Sequence, residues 1–371
     1  MPSDKMVLPT KQIAFAVIII LALLAVSFLW IQFSNSGNNN SDDLNTSDNN
    51  SVVGPHFINL TIVEKNDCLE CISLDALVTA IESFDVNILG VKTVDADSTE
   101  GKNLIAMHNI SKLPVLIVNG SFQETDLQQA WSEIGDESNG VLVLRKVFPP
   151  FYSLEENMLV GKVNLLEIKN SSCTDCIDLN FVFTDLSQLG VLFESHRTIE
   201  FDSAEAKDLI EFYLIDRIPV VLLGGDVIEY DFITSVWDQV GIIDEDGTFV
   251  YNEAVPYYDL FSGETKGLVE VTKLVDANCS DCLDVNLLLL PLNQFGVKIT
   301  KETTIDVSSE EGKALIEKYL IQKVPTIIVS SEAEEYLDFF VSWPDLGSQE
   351  EDGKFVFRNL EAVGQPFKTL E

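Results

Sequence analysis

The sequence predicts an α/β chain in which one apolar N-terminal span is followed by three tandem copies of a single unit of strands and helices. Three observations carry this. All six cysteines fall in Cys-x-x-Cys pairs, and the first members, Cys68, Cys173 and Cys279, are 105 and 106 residues apart. A proline between hydrophobic residues stands 46 residues after each of them, at Pro114, Pro219 and Pro325. Trp131, Trp237 and Trp343 each open a Trp-x-x-aliphatic-Gly segment, 106 residues apart both times. A period repeated within one chain marks repeated structural units. It divides the 371 residues into a terminus (1–12), a span (13–33), a stalk (34–55) and repeats at 56–160, 161–266 and 267–371.

The N-terminal span comes first. Ile13 to Ile31 is 19 residues without a charge, enough to cross a hydrocarbon core of about 30 Å as a helix. Lys5 and Lys11 precede it and no Lys or Arg follows until Lys65, which places the N-terminus in the cytoplasm and the repeats outside. The expected location is the cell membrane, crossed once. A cleaved signal peptide is the competing reading, but the run is long for one and no Ala-x-Ala site follows it. Residues 34–55 are rich in Asn, Ser and Asp and lack apolar periodicity, the composition of a flexible stalk. Asn-x-Ser/Thr sequons begin at Asn39, Asn45, Asn49, Asn59, Asn109, Asn119 and Asn170, which suits an external chain.

Asp and Glu number 60 against 23 Lys and Arg, a net charge of -37. A chain so acidic repels nucleic acid and anionic headgroups, so nucleic acid is excluded as a partner.

Within each repeat the elements follow one order. A β-rich segment (Phe57 to Val63, Val163 to Ile168, Leu268 to Val275) precedes the cysteines, and helical apolar spacing follows them. Leu74, Leu77, Val78 and Ile81 show this spacing, as do Leu179, Val182, Phe183 and Leu186, and Val285, Leu288, Leu289 and Leu292, where Pro291 should kink the helix. The cysteines thus lie where a strand turns into a helix. A second helix is expected to start with capping-box spacing at Asp97 to Glu100, Asp202 to Glu205 and Ser308 to Glu311. Asp95, Asp97 and Glu100 could instead be read as calcium ligands, but their spacing misses an EF-hand loop. After each proline an apolar strand is expected (Val115 to Val118, Val220 to Leu223, Thr326 to Val329), then a short second strand, then a helix bearing the tryptophan as a core anchor.

This order, with Cys-x-x-Cys and a hydrophobic-Pro segment at fixed distance, resembles the thioredoxin superfamily, and Val324-Pro325-Thr326 is most similar to its cis-proline segment. The resemblance covers most of residues 56–371. It implies three tandem thioredoxin-like domains, each a central mixed sheet flanked by helices, and that Pro114, Pro219 and Pro325 are cis and pack beside the cysteines. It also implies that Cys68, Cys173 and Cys279 sit at helix N-termini as nucleophiles, favoured as thiolates by the dipole and free N–H groups, with Cys71, Cys176 and Cys282 resolving the mixed disulfide. Where thioredoxins carry a buried Asp, six positions before the first cysteine, this chain has Ile62, Glu167 and Lys273, so only Glu167 offers a carboxyl group for proton transfer. The dipeptides between the cysteines also depart from the family: Leu69-Glu70, Thr174-Asp175 and Ser280-Asp281.

Glu70, Asp175 and Asp281 place a negative charge beside the reacting sulfur, which raises the thiol pKa and favours the disulfide. Three function classes follow. The first is a membrane-tethered thiol–disulfide oxidoreductase or isomerase, reducing rather than oxidising and acting on protein thiols and disulfides. All six cysteines lie outside the membrane, so a reductase would need a separate transmembrane electron donor. The second is a surface scaffold or binding protein with structural disulfides. The third is metal binding, for which each pair supplies only two thiolates while His56, His108 and His196 do not recur at matching positions. No cofactor is expected.

Overall fold

The computed structural model describes residues 56–370. The expected terminus, membrane span, stalk and the sequons at Asn39, Asn45 and Asn49 lie outside the described residues. Among the described residues no helix is long and apolar enough to cross a membrane.

In the first repeat the strands are β1 (His56–Glu64), β2 (Val86–Asp95), β3 (Lys112–Leu113), β4 (Val115–Gly120), β5 (Gly135–Ser138), β6 (Val141–Leu144), β7 (Phe151–Ser153) and β8 (Met158–Val160). Five of them form a mixed sheet in the order β2-β1-β4-β6-β5, with only β1 and β2 parallel, and β3, β7 and β8 make a separate antiparallel ribbon. The second repeat has β9 (Lys162–Lys169), β10 (Leu192–Glu200), β11 (Arg217–Ile218), β12 (Val220–Gly225), β13 (Ile242–Ile243), β14 (Phe249–Tyr251), β15 (Tyr257–Asp259) and β16 (Thr265–Lys266). Its sheet runs β10-β9-β12-β14-β13, beside the ribbon β11-β15-β16. The third has β17 (Val269–Val275), β18 (Ile299–Asp306), β19 (Lys323–Val324), β20 (Thr326–Val329), β21 (Gly347–Gln349), β22 (Phe355–Phe357) and β23 (Lys368–Thr369), ordered β18-β17-β20-β22-β21 with β19 pairing β23.

The strand after each spaced proline carries a run of buried apolar residues because both sheet faces are covered there. In β12, Val220 and Leu222 pack into one apolar cluster and Val221 and Leu223 into another, as the two-residue alternation of a strand requires.

Two local expectations are corrected and one is met. The tryptophan helix precedes the last two strands of each sheet instead of following them: Asp126–Trp131 comes before β5 and β6. The reason is the glycine that closes each Trp-x-x-aliphatic-Gly segment. A Cβ on Gly135, Gly241 or Gly347 would stand 2.2, 2.2 or 2.0 Å from the carbonyl oxygen of Val143, Val250 or Val356, so only glycine lets the chain leave the helix and return along its neighbouring strand. The buried indoles of Trp131, Trp237 and Trp343 donate to the carbonyls of Val143, Ile242 and Ser348. The second helix is capped one residue later than the box spacing suggests. Ser98, Ser203 and Ser309 accept from the N–H of Gly101, Ala206 and Gly312, because a serine hydroxyl reaches the N–H three residues on. The interruption expected at Pro291 is found: the post-cysteine helix of the third repeat is split into a 3-10 turn, Val285–Leu289, and an α-segment, Leu290–Gln294, with Pro291 in its first turn.

Candidate functional site

The three Cys-x-x-Cys pairs are disulfides, Cys68–Cys71, Cys173–Cys176 and Cys279–Cys282. Each lies in a turn that follows the first strand of its repeat, β1, β9 or β17. The N–H of Cys68, Cys173 and Cys279 donates, at 2.9 Å in each case, to the carbonyl of Lys65, Asn170 and Asp276. All six cysteines are partly exposed.

The expected placement of the first cysteine at a helix N-terminus is corrected. The helices begin at Asp75 and Asn180, after the N-cap residues Leu74 and Leu179, and the 3-10 turn of the third repeat begins after Asp284. A dipole effect fades beyond the first turn, so it does not act on Cys68, Cys173 or Cys279. What holds the cysteines out of the helix is a second proline. The N–H of Ile72, Ile177 and Leu283, each the residue after the second cysteine or its pair's turn, donates to the carbonyl of Pro150, Pro256 and Pro366 at 2.7, 2.9 and 2.8 Å. Helix begins only a few residues further on, at Asp75 and Asn180 in the first two repeats.

The peptide bonds preceding Pro114, Pro219 and Pro325 are cis, as are Pro149–Pro150 and Val255–Pro256. In the third repeat the cysteine pair and the proline segment meet: Cys282 Sγ lies 4.0 Å from the carbonyl oxygen of Val324. In the second, Cys173 Sγ lies 3.4 Å from Thr265 Oγ1 on β16. Sequence reasoning missed a brace between these segments. Two residues before each conserved-spacing proline is a cation, and Lys112, Arg217 and Lys323 lie over the rings of Phe151, Tyr257 and Phe367 at 3.9, 4.3 and 5.4 Å. Such contacts contribute roughly 0.5–2 kcal/mol each. The signal was present as Pro-aromatic dipeptides, Pro150-Phe151, Pro256-Tyr257 and Pro366-Phe367, at the end of every repeat.

Glu70, Asp175 and Asp281 are exposed in the turns, and Asp281 accepts from its neighbour Ser280 at 3.1 Å. Ile62, Glu167 and Lys273 are each 8% exposed. They occupy one register position, opposite Leu116, Val221 and Ile327 on one side and Thr93, Thr198 and Thr304 on the other. Glu167 accepts from Thr198 Oγ1 at 3.1 Å, while Lys273 donates to Asn286 Oδ1 at 2.6 Å and pairs with Glu302. Near Cys279, the Lys368 ammonium and the Asn278 N–H hold the Asp276 carboxyl below its usual range. Asp95, Asp97 and Glu100 go to separate partners, Asn66, Lys65 and Lys92.

No protein-family model matches the sequence, and no curated protein matches it. Among solved structures, the chain is similar to the NTD_N/C domain of alkylhydroperoxide reductase AhpF from Enterococcus faecalis at 17% identity, covering 46% of this chain and 82% of that one, with a TM-score of 0.15. A protein disulfide oxidoreductase from Aeropyrum pernix matches at 15% identity over 46% of this chain and 77% of that one, TM-score 0.15. Zinc-bound human ERp44 matches at 12% identity over 77% and 88%, TM-score 0.14. Likenesses this weak carry no functional argument.

Proposed function

We propose that this chain is a membrane-anchored, extracytoplasmic thiol–disulfide oxidoreductase built from three tandem thioredoxin-like units, working as a reductant through its three Cys-x-x-Cys pairs. The observation that carries the reading is the span of the disulfides. Each joins cysteines only three residues apart, and a loop so small restrains the unfolded chain by only about 2 kcal/mol, against about 4.7 for a 100-residue loop. Six cysteines spent on the smallest loops, at partly exposed turns, suit exchange better than stapling.

In each cycle the Cys68, Cys173 or Cys279 thiolate attacks a substrate disulfide and releases one substrate thiolate. The second cysteine then attacks the mixed disulfide, releases the other substrate thiolate and leaves the pair oxidised, so two electrons pass to the substrate. Glu70, Asp175 and Asp281 disfavour the thiolate, and no helix N-terminus offsets them, which makes the dithiol the stronger reductant. Re-reduction needs a separate transmembrane donor, and residues 13–33 would hold the repeats beside it, with Lys5 and Lys11 in the cytoplasm.

The test is to titrate the full chain against a glutathione redox buffer and to assay reduction of a protein disulfide by its dithiol form. Pairs that never open under native conditions, or dithiols that transfer no electrons, would sink the proposal in favour of a scaffold. Protease added to intact cells should remove the repeats, and their protection would reject the external placement.

A further inference from the structure

An apolar groove of about 290 Å³ lies in the first repeat between the post-cysteine helix, Asp75–Ile81, and the tryptophan helix, Asp126–Trp131. That is near the lower end of the volume range of ligand pockets. Its lining includes Ile72, the residue bonded directly to Cys71, together with Ala76 and Ala80 from one helix, Ala130 from the other, and Phe148. Lys146 is the one ionisable side chain in its lining.

The small residues make the groove. The aligned positions of the second repeat are Phe181, Asp185 and Val236, and of the third Leu287, Pro291 and Ser342. Phe181 packs on the core of its repeat, and the Asp185 carboxyl is held above its usual range by burial. An alanine wall beside the disulfide is thus particular to the first repeat.

We infer that this groove receives a bulky apolar side chain of the substrate, and that the substrate is an extended polypeptide, apolar and basic around its cysteine. The inference rests on the proposed exchange activity. Two features of the structure fix the occupant. The seven-residue helix that walls the groove is about 10 Å long, so a chain whose cysteine meets the Cys68–Cys71 pair has its next three or so residues, at about 3.3 Å each, over the groove. The surrounding charge sets the rest. Glu70, Asp75, Glu82 and Glu133, all exposed, interleave with the lining residues along the chain, and the net charge of -37 disfavours a second copy as occupant. A basic partner is attracted by the same field.

The probe is an arginine-flanked hexapeptide, disulfide-linked to glutathione through its cysteine, with phenylalanine three positions on; its control has glycine there. Both are reduced by the full-length dithiol chain, with differential alkylation and mass spectrometry reading each cysteine pair. At Cys68–Cys71 the phenylalanine peptide should react about tenfold faster, the value of burying one such side chain in part, and at the other two pairs the peptides should be equal. Ala76→Phe, which installs the residue of the second repeat, should abolish the preference and leave exchange with glutathione disulfide unchanged. Ala130→Leu, from the opposite wall, should do the same should the first variant fail to fold. Exchange with glutathione but no peptide preference overturns the groove and leaves the activity standing. Absence of all exchange overturns the activity instead. The groove is then judged on the oxidised chain by Trp131 fluorescence with the peptide carrying serine for cysteine: binding that Ala76→Phe removes upholds it, and no binding overturns it.

Discussion

In the second repeat the buried position six residues before the first cysteine is Glu167, and in the third it is Lys273. The backbone around them is the same: each lies on the inner strand beside the parallel edge strand, β9 or β17, in equal register with a threonine of that edge strand, Thr198 or Thr304. The side chains are satisfied differently. Glu167 takes the threonine hydroxyl, whereas Lys273 reaches across to Asn286 and Glu302. At the Glu302 position the second repeat has His196, which stacks on Phe183 at 4.0 Å. The lesson is that the sheet accepts either sign of charge, provided a partner is changed with it.

The strongest way to break this comparison is to exchange the charges without their partners. Glu167→Lys buries an ammonium with no anion where Glu302 would be, and Lys273→Glu sets a carboxylate against Glu302. Each should destabilise its own repeat by about 3–5 kcal/mol, the usual penalty of an uncompensated buried charge. Hydrogen exchange of the β9 or β17 amides reads this repeat by repeat, and Lys273→Met should be near neutral because it removes the charge. Full protection in Glu167→Lys would mean that the position reaches water.

A smaller effect is expected at a second aligned brace. Tyr213 donates to Asp246, and Tyr319 to Asp352, both at 2.8 Å. The third repeat adds Lys318, which donates to Asp352 at 2.7 Å, where the second has the exposed Phe212. The Lys318 ammonium, with Tyr319, lowers the Asp352 carboxyl to about 2, while Asp246 is lowered chiefly by the Thr248 N–H. Asp352→Asn should therefore destabilise by about 1–2 kcal/mol and Asp246→Asn by less. A depressed carboxylate contributes in full above its ordinary value of 3.8, and that contribution is lost as the pH falls toward about 2. Thermal melts at pH 5 and pH 2.5 should show the third repeat losing more of this brace than the second, and equal losses would remove the role of Lys318. The first repeat has no such brace. Its aligned residue is the buried His108, whose Nδ1 has no hydrogen-bond partner and whose burial lowers its pKa.

How much of this was legible differs by kind of feature. The cysteine pairs, the spaced prolines and the strands around them could be read because each depends on local composition and recurs at one period. Glu167 and Lys273 could be singled out by counting back from the cysteines, but their partners could not, since Thr198, Asn286 and Glu302 are fixed by register and helix position. The helix start after the cysteines was misread for the same reason. The apolar spacing from Leu74 is helical, and nothing local reveals that Ile72 gives its N–H to Pro150, 78 residues away. The tryptophan helix was misplaced because the role of Gly135 depends on the approach of Val143, which is tertiary.

Smaller again is the effect of the buried charges on redox poise. A cation near a sulfur favours the thiolate and hence the reduced pair, and an anion opposes it. Lys273→Met should lower the potential of Cys279–Cys282 and Glu167→Gln should raise that of Cys173–Cys176, each by about 30 mV or less, the equivalent of one pKa unit. Titration of each pair against glutathione at a pH where the thiolate is populated checks both signs. Shifts in the same direction would detach the two residues from the sulfurs.

The smallest expected shift comes from the exposed carboxylates between the cysteines. Asp175→Asn removes a like charge from beside the Cys173 thiolate, so the thiol pKa should fall by about half a unit and the pair should become easier to reduce by about 15 mV. The charge acts on the thiolate and hardly on the neutral thiol, so the shift should grow as the pH rises through the thiol pKa. Because Asp175 is exposed, it should also shrink at high salt, where the screening length drops from about 10 Å to about 3 Å. Glu70→Gln should behave likewise. Asp281→Asn should move its pair least, since the Ser280 hydroxyl already draws on that carboxylate. The buried Glu167 substitution, by contrast, should resist salt. If the Asp175 shift resists salt as well, this carboxylate acts through a hydrogen bond to the sulfur; if the potentials of all three pairs stay fixed while the pairs still cycle, charge does not set their poise and the brace from Pro150, Pro256 and Pro366 becomes the feature to vary.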